Sequence, residues 1–353
     1  MSLPRFSTVF PAIAPALLAV VSATAAQAQT KTIYIGMNGG DMERSYTKYV
    51  FPAFERIHNA KVVVVPGTSS DILAKVQAAK EKPPVHVMFL DDGVMMRAIK
   101  MGLCQKITDT AALKELYPAA QMAGGMAAGV NVGMTGIGYN KKLFDEKKWP
   151  APTSWLDFAD PRFKGKVVFQ SLPSSSFGLH GFLMFNRTQG GSEKNVDPGF
   201  AKWGSTIGPN VLEYIPSSAK LSEMVQTGEA AIFPLTPTGV ATQKARGVPM
   251  EYAQPKEGSV LLMVAECVTA NNDAPDLAQK LAAFLLTPQA QAAALEFGNQ
   301  IPSNLKTQPS TPAAQATVER FKGYMKTVVT LDWDSINALR PEWNARWNKQ
   351  VER

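Results

Sequence analysis

Runs of small hydroxylated residues recur in this sequence at Ser69-Ser70, Ser174-Ser175-Ser176, Ser217-Ser218 and Thr236 with Thr238. Each lies between a β-branched or aromatic run and a stretch with helical spacing. There a hydroxyl accepts from the unpaired N–H groups of a first helical turn. The same N–H groups, at the positive end of the helix dipole, receive carboxylate or phosphate oxygens. One such run is ordinary capping; its repetition at successive strand-to-helix turns points to a small polar, anionic or zwitterionic solute. Asn38-Gly39-Gly40 adds a side-chain amide and two backbone N–H groups that a ligand can approach closely. The expected ligand contacts are Asn38, Gly39, Gly40, Ser69, Ser70, Asp92, Ser175, Ser176, Ser218 and Thr236. Of the first three turns only Asp91-Asp92 offers acids, either as a helix cap and solvated turn or as a seat for an ammonium group.

No catalytic residues are expected. A nucleophile with its base, or a metal cluster, would leave a G-x-S-x-G, H-E-x-x-H, P-loop or G-x-G-x-x-G signature, and none is present. His58, His86 and His180 lack the spacing of metal ligands, so no metal and no cofactor is expected. Cys104 and Cys267 stand in no C-x-x-C pattern; whether they pair is open, with buried thiols the expectation.

The elements that would position these turns alternate between strand and helix. Strand signals at 31–36, 61–65 and 85–90 are followed by helical spacing over 42–58, 71–80 and 94–101, a βαβαβ order. The turns at 37–40, 66–71 and 90–93 then gather at the carboxyl edge of one sheet, where open α/β sheets bind ligands. An extended crossing at 130–139 leads to a second set with strands at 167–169, 211–215 and 230–233, and 259–270 is apolar enough to cross back. Two crossings between lobes make a hinge. The expected fold is α/β and two-lobed, each lobe a doubly wound sheet flanked by helices, with the ligand cleft at the hinge. The expected parts are a first lobe of 29–135 with 268–310, a second of 136–267, and a helical segment over 311–353.

Arg5 precedes an uncharged stretch that ends at Ala26-Gln27-Ala28, the pattern of a cleaved secretory signal over residues 1–28. The remaining length suits two lobes. A composition of 45% hydrophobic and 18% charged residues argues against disorder. The net charge of +7 comes from scattered residues rather than a basic stripe, so nucleic acid is not an expected partner. A monomer is expected.

Several segments carry a family resemblance. They are Gly136-Ile137-Gly138-Tyr139-Asn140, Pro152-Thr153-Ser154-Trp155 with Asp160-Pro161-Arg162-Phe163-Lys164-Gly165-Lys166, Leu286-Thr287-Pro288-Gln289-Ala290-Gln291, and Pro302-Ser303-Asn304. With Trp333 and the Pro341-Glu342-Trp343 to Trp347 segment, they make the chain resemble the extracellular solute-binding proteins of ABC importers, in the branch that includes spermidine/putrescine, iron(III) and thiamine receptors. The resemblance implies a periplasmic receptor that closes on a small-molecule solute and delivers it to an ABC permease in the inner membrane. It does not name the solute. The paired tyrosines of the iron receptors are missing, and the carboxylates of the polyamine receptors reduce to Asp91 and Asp92. A polyamine receptor, and a secreted enzyme on a similar scaffold, remain the alternatives.

Overall fold

The computed structural model describes residues 1–2 and 30–352. The expected signal segment, save its first two residues, lies outside them.

β1 (Lys31–Met37) runs parallel to β2 (Ala60–Pro66) along its whole length, and to β3 (Val87–Asp91) from the pair Ile35↔Val87. Their carboxyl ends therefore fall on one edge. The long strand β4 (Ala127–Asn140) leaves this group; beyond it β5 (Val167–Gln170) lies parallel to β6 (Val211–Ile215) and to β7 (Ile232–Leu235). β8 (Met250–Ala253) and β9 (Val260–Thr269) follow, and short strands at Cys104–Gln105, Gln121–Met122 and Ile301–Pro302 pair with β9 or β4. The order is β2-β1-β3-β9-β4-β7-β5-β6. β4 is buried throughout and belongs to both halves. Residues up to Thr135 pair with β9; from Gly136 onward they pair with β7 and β8. The two sheets expected from the sequence are thus joined through one strand.

β9 pairs with first-half strands along its length, with Asp91 to Val87 on one side and Thr135 to Ala128 on the other. The pairing of β9 with β4 thus already begins at Val260, ahead of the expected return at 268. The expected helix over 42–58 is three pieces, Asp41–Ser45, a π-turn at Tyr46–Val50, and Phe51–His58. Pro52 sits in the first turn of the last piece, where its missing N–H costs no hydrogen bond.

One apolar core surrounds β1, β3 and β9 with Ile33, Ile35, Phe89, Ala265 and Leu281. Another holds Trp155, Phe169, Phe182, Trp203 and Trp347. The carboxyl-terminal helix supplies Ile336, Trp343 and Trp347 to the second core. Its first turns reach the first half: Trp333 Nε1 donates to Asp92 at 3.3 Å and Asn337 Nδ2 to the Gly93 carbonyl at 3.0 Å. Cys104 and Cys267 form a disulfide, Cα atoms 5.7 Å apart, correcting the expectation of thiols. The backbone pairing of Cys104 with Thr269 brings them within reach.

Candidate functional site

Helices α1 (Ser69–Ala78) and α2 (Asp92–Lys100) begin at the first-half strand ends, and α3 (Ser176–Thr188) and α4 (Pro237–Lys244) at those of the second half. α5 (Trp333–Gln350) is the carboxyl-terminal helix.

Capping on the first side falls to Thr68. Its hydroxyl accepts from Asp71 N at 3.2 Å, and the Asp71 carboxylate accepts from Thr68 N at 3.0 Å. The following serines are thereby released from capping. Ser69, buried, accepts from the Asp91 N–H at 3.0 Å, and Ser70 is half-buried in the first turn of α1. In the first turn, Asn38 is half-buried and Gly39 exposed, and Gly40 takes φ 77, a left-handed conformation that suits glycine.

On the second side Ser175 caps α3 by accepting from Phe177 N at 3.2 Å, and donates to Gln170 Oε1 at 2.5 Å. Gln170 Nε2 donates to Ser218 at 3.1 Å and to the Pro234 carbonyl at 3.3 Å. One buried amide therefore ties the three second-half strand ends together. Thr236 caps α4 by accepting from Gly239 N at 2.9 Å. Gly178 lets α3 sit on the end of β5, since a Cβ there would stand 2.1 Å from the Gln170 carbonyl oxygen.

The halves meet at Asp91, whose carboxylate accepts from Ser176 Oγ at 2.6 Å. Burial pushes the Asp91 carboxyl up, opposed by the Ser176 hydrogen bond, the Arg340 charge and Ser69. Asp92 turns away. It accepts from Gly93 N at 3.0 Å and from Trp333, and burial, then the neighbouring Asp91, push its carboxyl up to about 7. Further out, Asp41 pairs with Arg246 and accepts from Gln243 Nε2 at 2.9 Å, and Asn299 Nδ2 donates to Thr242 at 3.3 Å.

Of the expected contacts, Ser69 and Ser176 converge on Asp91, and Ser175 and Ser218 on Gln170. Asn38, Gly39, Gly40, Ser70 and Thr236 lie at the strand-end turns without joining either group. Asp92 is diverted to α5. The sequence reading singled out both acids but chose Asp92 rather than Asp91 as the expected contact, and it missed Gln170 and Arg340. Arg340 had a signal: it shares a helical face with Ile336, Trp343 and Trp347, where a charge is out of place. Gln170, inside a strand, had none.

Two of the three histidines are otherwise engaged. His86 Nδ1 accepts from Tyr34 N and Nε2 lies 2.8 Å from Asp273, while His180 Nδ1 lies 2.8 Å from Thr135 Oγ1. Among the described residues no group of His, Cys, Asp or Glu is arranged to hold a metal, and no helix is long and apolar enough to cross a membrane. A concavity of about 380 Å³, lined by Met96, Met122, Leu261, Met263 and Trp333, reaches this region only through Asp92. Its wall also carries Thr330, Asp332 and Asp334, and of the expected contacts it includes Asp92 alone.

Residues 50–322 match the model of a family described as bacterial extracellular solute-binding protein. A Salmonella typhimurium periplasmic protein to which 2-aminoethylphosphonate binding is ascribed is 23% identical over 348 residues, covering 95% of this chain and 96% of that one. Among solved structures, a periplasmic thiamin-binding protein superposes with TM-score 0.75 at 18% identity, covering 92% of this chain and 97% of that one. A periplasmic binding protein of Actinobacillus pleuropneumoniae, solved with fructose-6-phosphate, gives TM-score 0.72 at 19% identity, covering 92% of this chain and 98% of that one.

Proposed function

The chain belongs to the family of bacterial extracellular solute-binding proteins, and on that premise we propose that its cleft captures a small zwitterion of the aminophosphonate class. The carrying observation is the hydrogen bond from Ser176 to Asp91, which brings strand ends of both halves to one half-buried carboxylate beside hydroxyls and helix starts. A carboxylate in such a place pairs with an ammonium group, and hydroxyls with helix N–H groups receive an oxyanion. The Salmonella relative's ascribed ligand, 2-aminoethylphosphonate, has both ends.

In this reading residues 30–135 with 260–310 form one lobe and 136–259 most of the other. The backbone between 135 and 136, and that between 253 and 260, act as the hinge. The ligand touches both lobes, so it favours the closed form by its differential affinity, and the closed form is delivered to the permease of an ABC importer. The protein acts as an exported monomer after loss of residues 1–28, without catalysis of its own.

Isothermal titration calorimetry with 2-aminoethylphosphonate, ethylphosphonate and putrescine tests the ligand class. The aminophosphonate is expected to bind best, and ethylphosphonate, which lacks the amine, more weakly. Binding of putrescine alone, lost in Asp91→Asn, would establish a polyamine receptor instead.

A further inference from the structure

The face of α5 that enters the second core carries Ile336, Arg340, Trp343 and Trp347, all buried. A guanidinium among tryptophans is costly to bury unless its charge and donors are matched. Here they are not. Nη2 donates to the Leu172 carbonyl at 3.3 Å, while Nε and Nη1 are buried with no hydrogen-bond partner among the described residues. No carboxylate there stands within ion-pair distance of it.

Leu172 belongs to the turn that leads from β5 into α3, beside Ser175 and Ser176. The guanidinium is close enough to oppose the rise of the Asp91 carboxyl and to help burial hold His180 down at about 3, so the imidazole is neutral. His180 Nδ1 faces Thr135, and its Nε2 is also buried and unpartnered. Unmatched nitrogens thus cluster beside the first turns of α3, next to the carboxylate that joins the halves. Were Arg340 only a strap between α5 and the core, carbonyls or a carboxylate would be expected to fill its donors. The group that fits is an oxyanion.

We propose that Arg340 anchors the anionic group of the bound solute, so that α5, outside both rows of strand-end turns, supplies the positive charge of the site. This rests on the zwitterion reading above. The phosphonate lies between the Arg340 guanidinium and the start of α3, the ammonium end takes Asp91, and the Ser176 hydroxyl is freed to donate to the oxyanion.

The test compares the full chain with its Arg340→Met and Arg340→Lys variants, by calorimetry with 2-aminoethylphosphonate and by thermal unfolding without ligand. Removing one partner of a buried charge pair predicts a loss of about 100-fold or more for Arg340→Met and a smaller loss for Arg340→Lys. The ligand-free melting temperature of Arg340→Met should be unchanged or higher, because an unmatched buried charge is removed; a purely structural role would lower it. If the chain prefers another anion, the comparison is made with that anion. Equal affinity in both variants overturns the role of Arg340 and leaves the zwitterion reading standing. If the unaltered chain binds no anion, both fall. Should Arg340→Met fail to fold, a crystal structure of the unaltered chain with its anion decides: oxygens hydrogen-bonded to the guanidinium uphold the proposal, and oxygens elsewhere overturn it.

Discussion

Asp91 and Asp92 are neighbours in the chain with opposite fates. Asp91 closes β3 and meets Ser176 across the cleft, while Asp92 opens α2 and turns to Trp333. For Asp92 the folded carboxyl titrates at about 7 against an ordinary 3.8. Between those values the folded state holds a proton that the unfolded state has lost. Stability from this group is therefore present below about pH 4, falls as pH rises, and is gone above about pH 7. Asp92→Asn is neutral throughout. Its urea-unfolding free energy should exceed that of the unaltered chain by up to about 4 kcal/mol at pH 8, with the gain shrinking towards pH 4. A gain that does not change with pH would disprove the assignment. Ser176→Ala removes the hydroxyl between the halves; a hydrogen bond to a charged group is worth about 1.5 kcal/mol or more, so solute affinity by calorimetry should fall about 10-fold. Which serine does this was only partly legible. Ser69, Ser70, Ser175 and Ser176 look alike in sequence, and it is the capping by Thr68 and Ser175 that decides which neighbour is free.

At the level of elements the alternation of strand and helix read well, because period-two and helical apolar patterns are local. β6 has the bounds expected from the sequence, while β7 begins and ends two residues later. The failures are tertiary. β8 was not foreseen, being short and finding its partner in β4, far back in the chain; of α4 only the start at Thr236 was expected, since it has almost no apolar face to mark its extent. The disulfide was equally invisible, since its cysteines are 163 residues apart and meet only once β9 pairs with Cys104–Gln105. A bond that closes so long a loop restricts the unfolded chain, for a typical 2–4 kcal/mol. The Cys104→Ala/Cys267→Ala double variant should lose about that much in urea unfolding, and added dithiothreitol should then have no further effect. If reductant destabilises the unaltered chain no more than the double variant, the bridge is not formed in solution.

For the whole molecule, the contacts across the cleft divide into those a solute would join and those it would not. On the proposed reading Asp91, Ser176 and Ser69 belong to the first kind. The Asp41 carboxylate with Arg246 and Gln243, and Asn299 with Thr242, lie further out, and on the proposed reading they would bias closure before any ligand arrives. Both side chains of the Asp41–Arg246 pair are partly exposed, at 28% and 45%, so solvent screens it and its worth is at most about 1 kcal/mol. That is enough to alter a closure equilibrium by about fivefold without touching the ligand site. Asp41→Ala should therefore speed solute dissociation by up to about fivefold in stopped-flow tryptophan fluorescence, with association unchanged, because the open form that admits the solute keeps the same strand-end turns. Raising ionic strength should speed dissociation from the unaltered chain and have less effect on the variant. A slower association with unchanged dissociation would place Asp41 in solute capture rather than in the latch that holds the halves together.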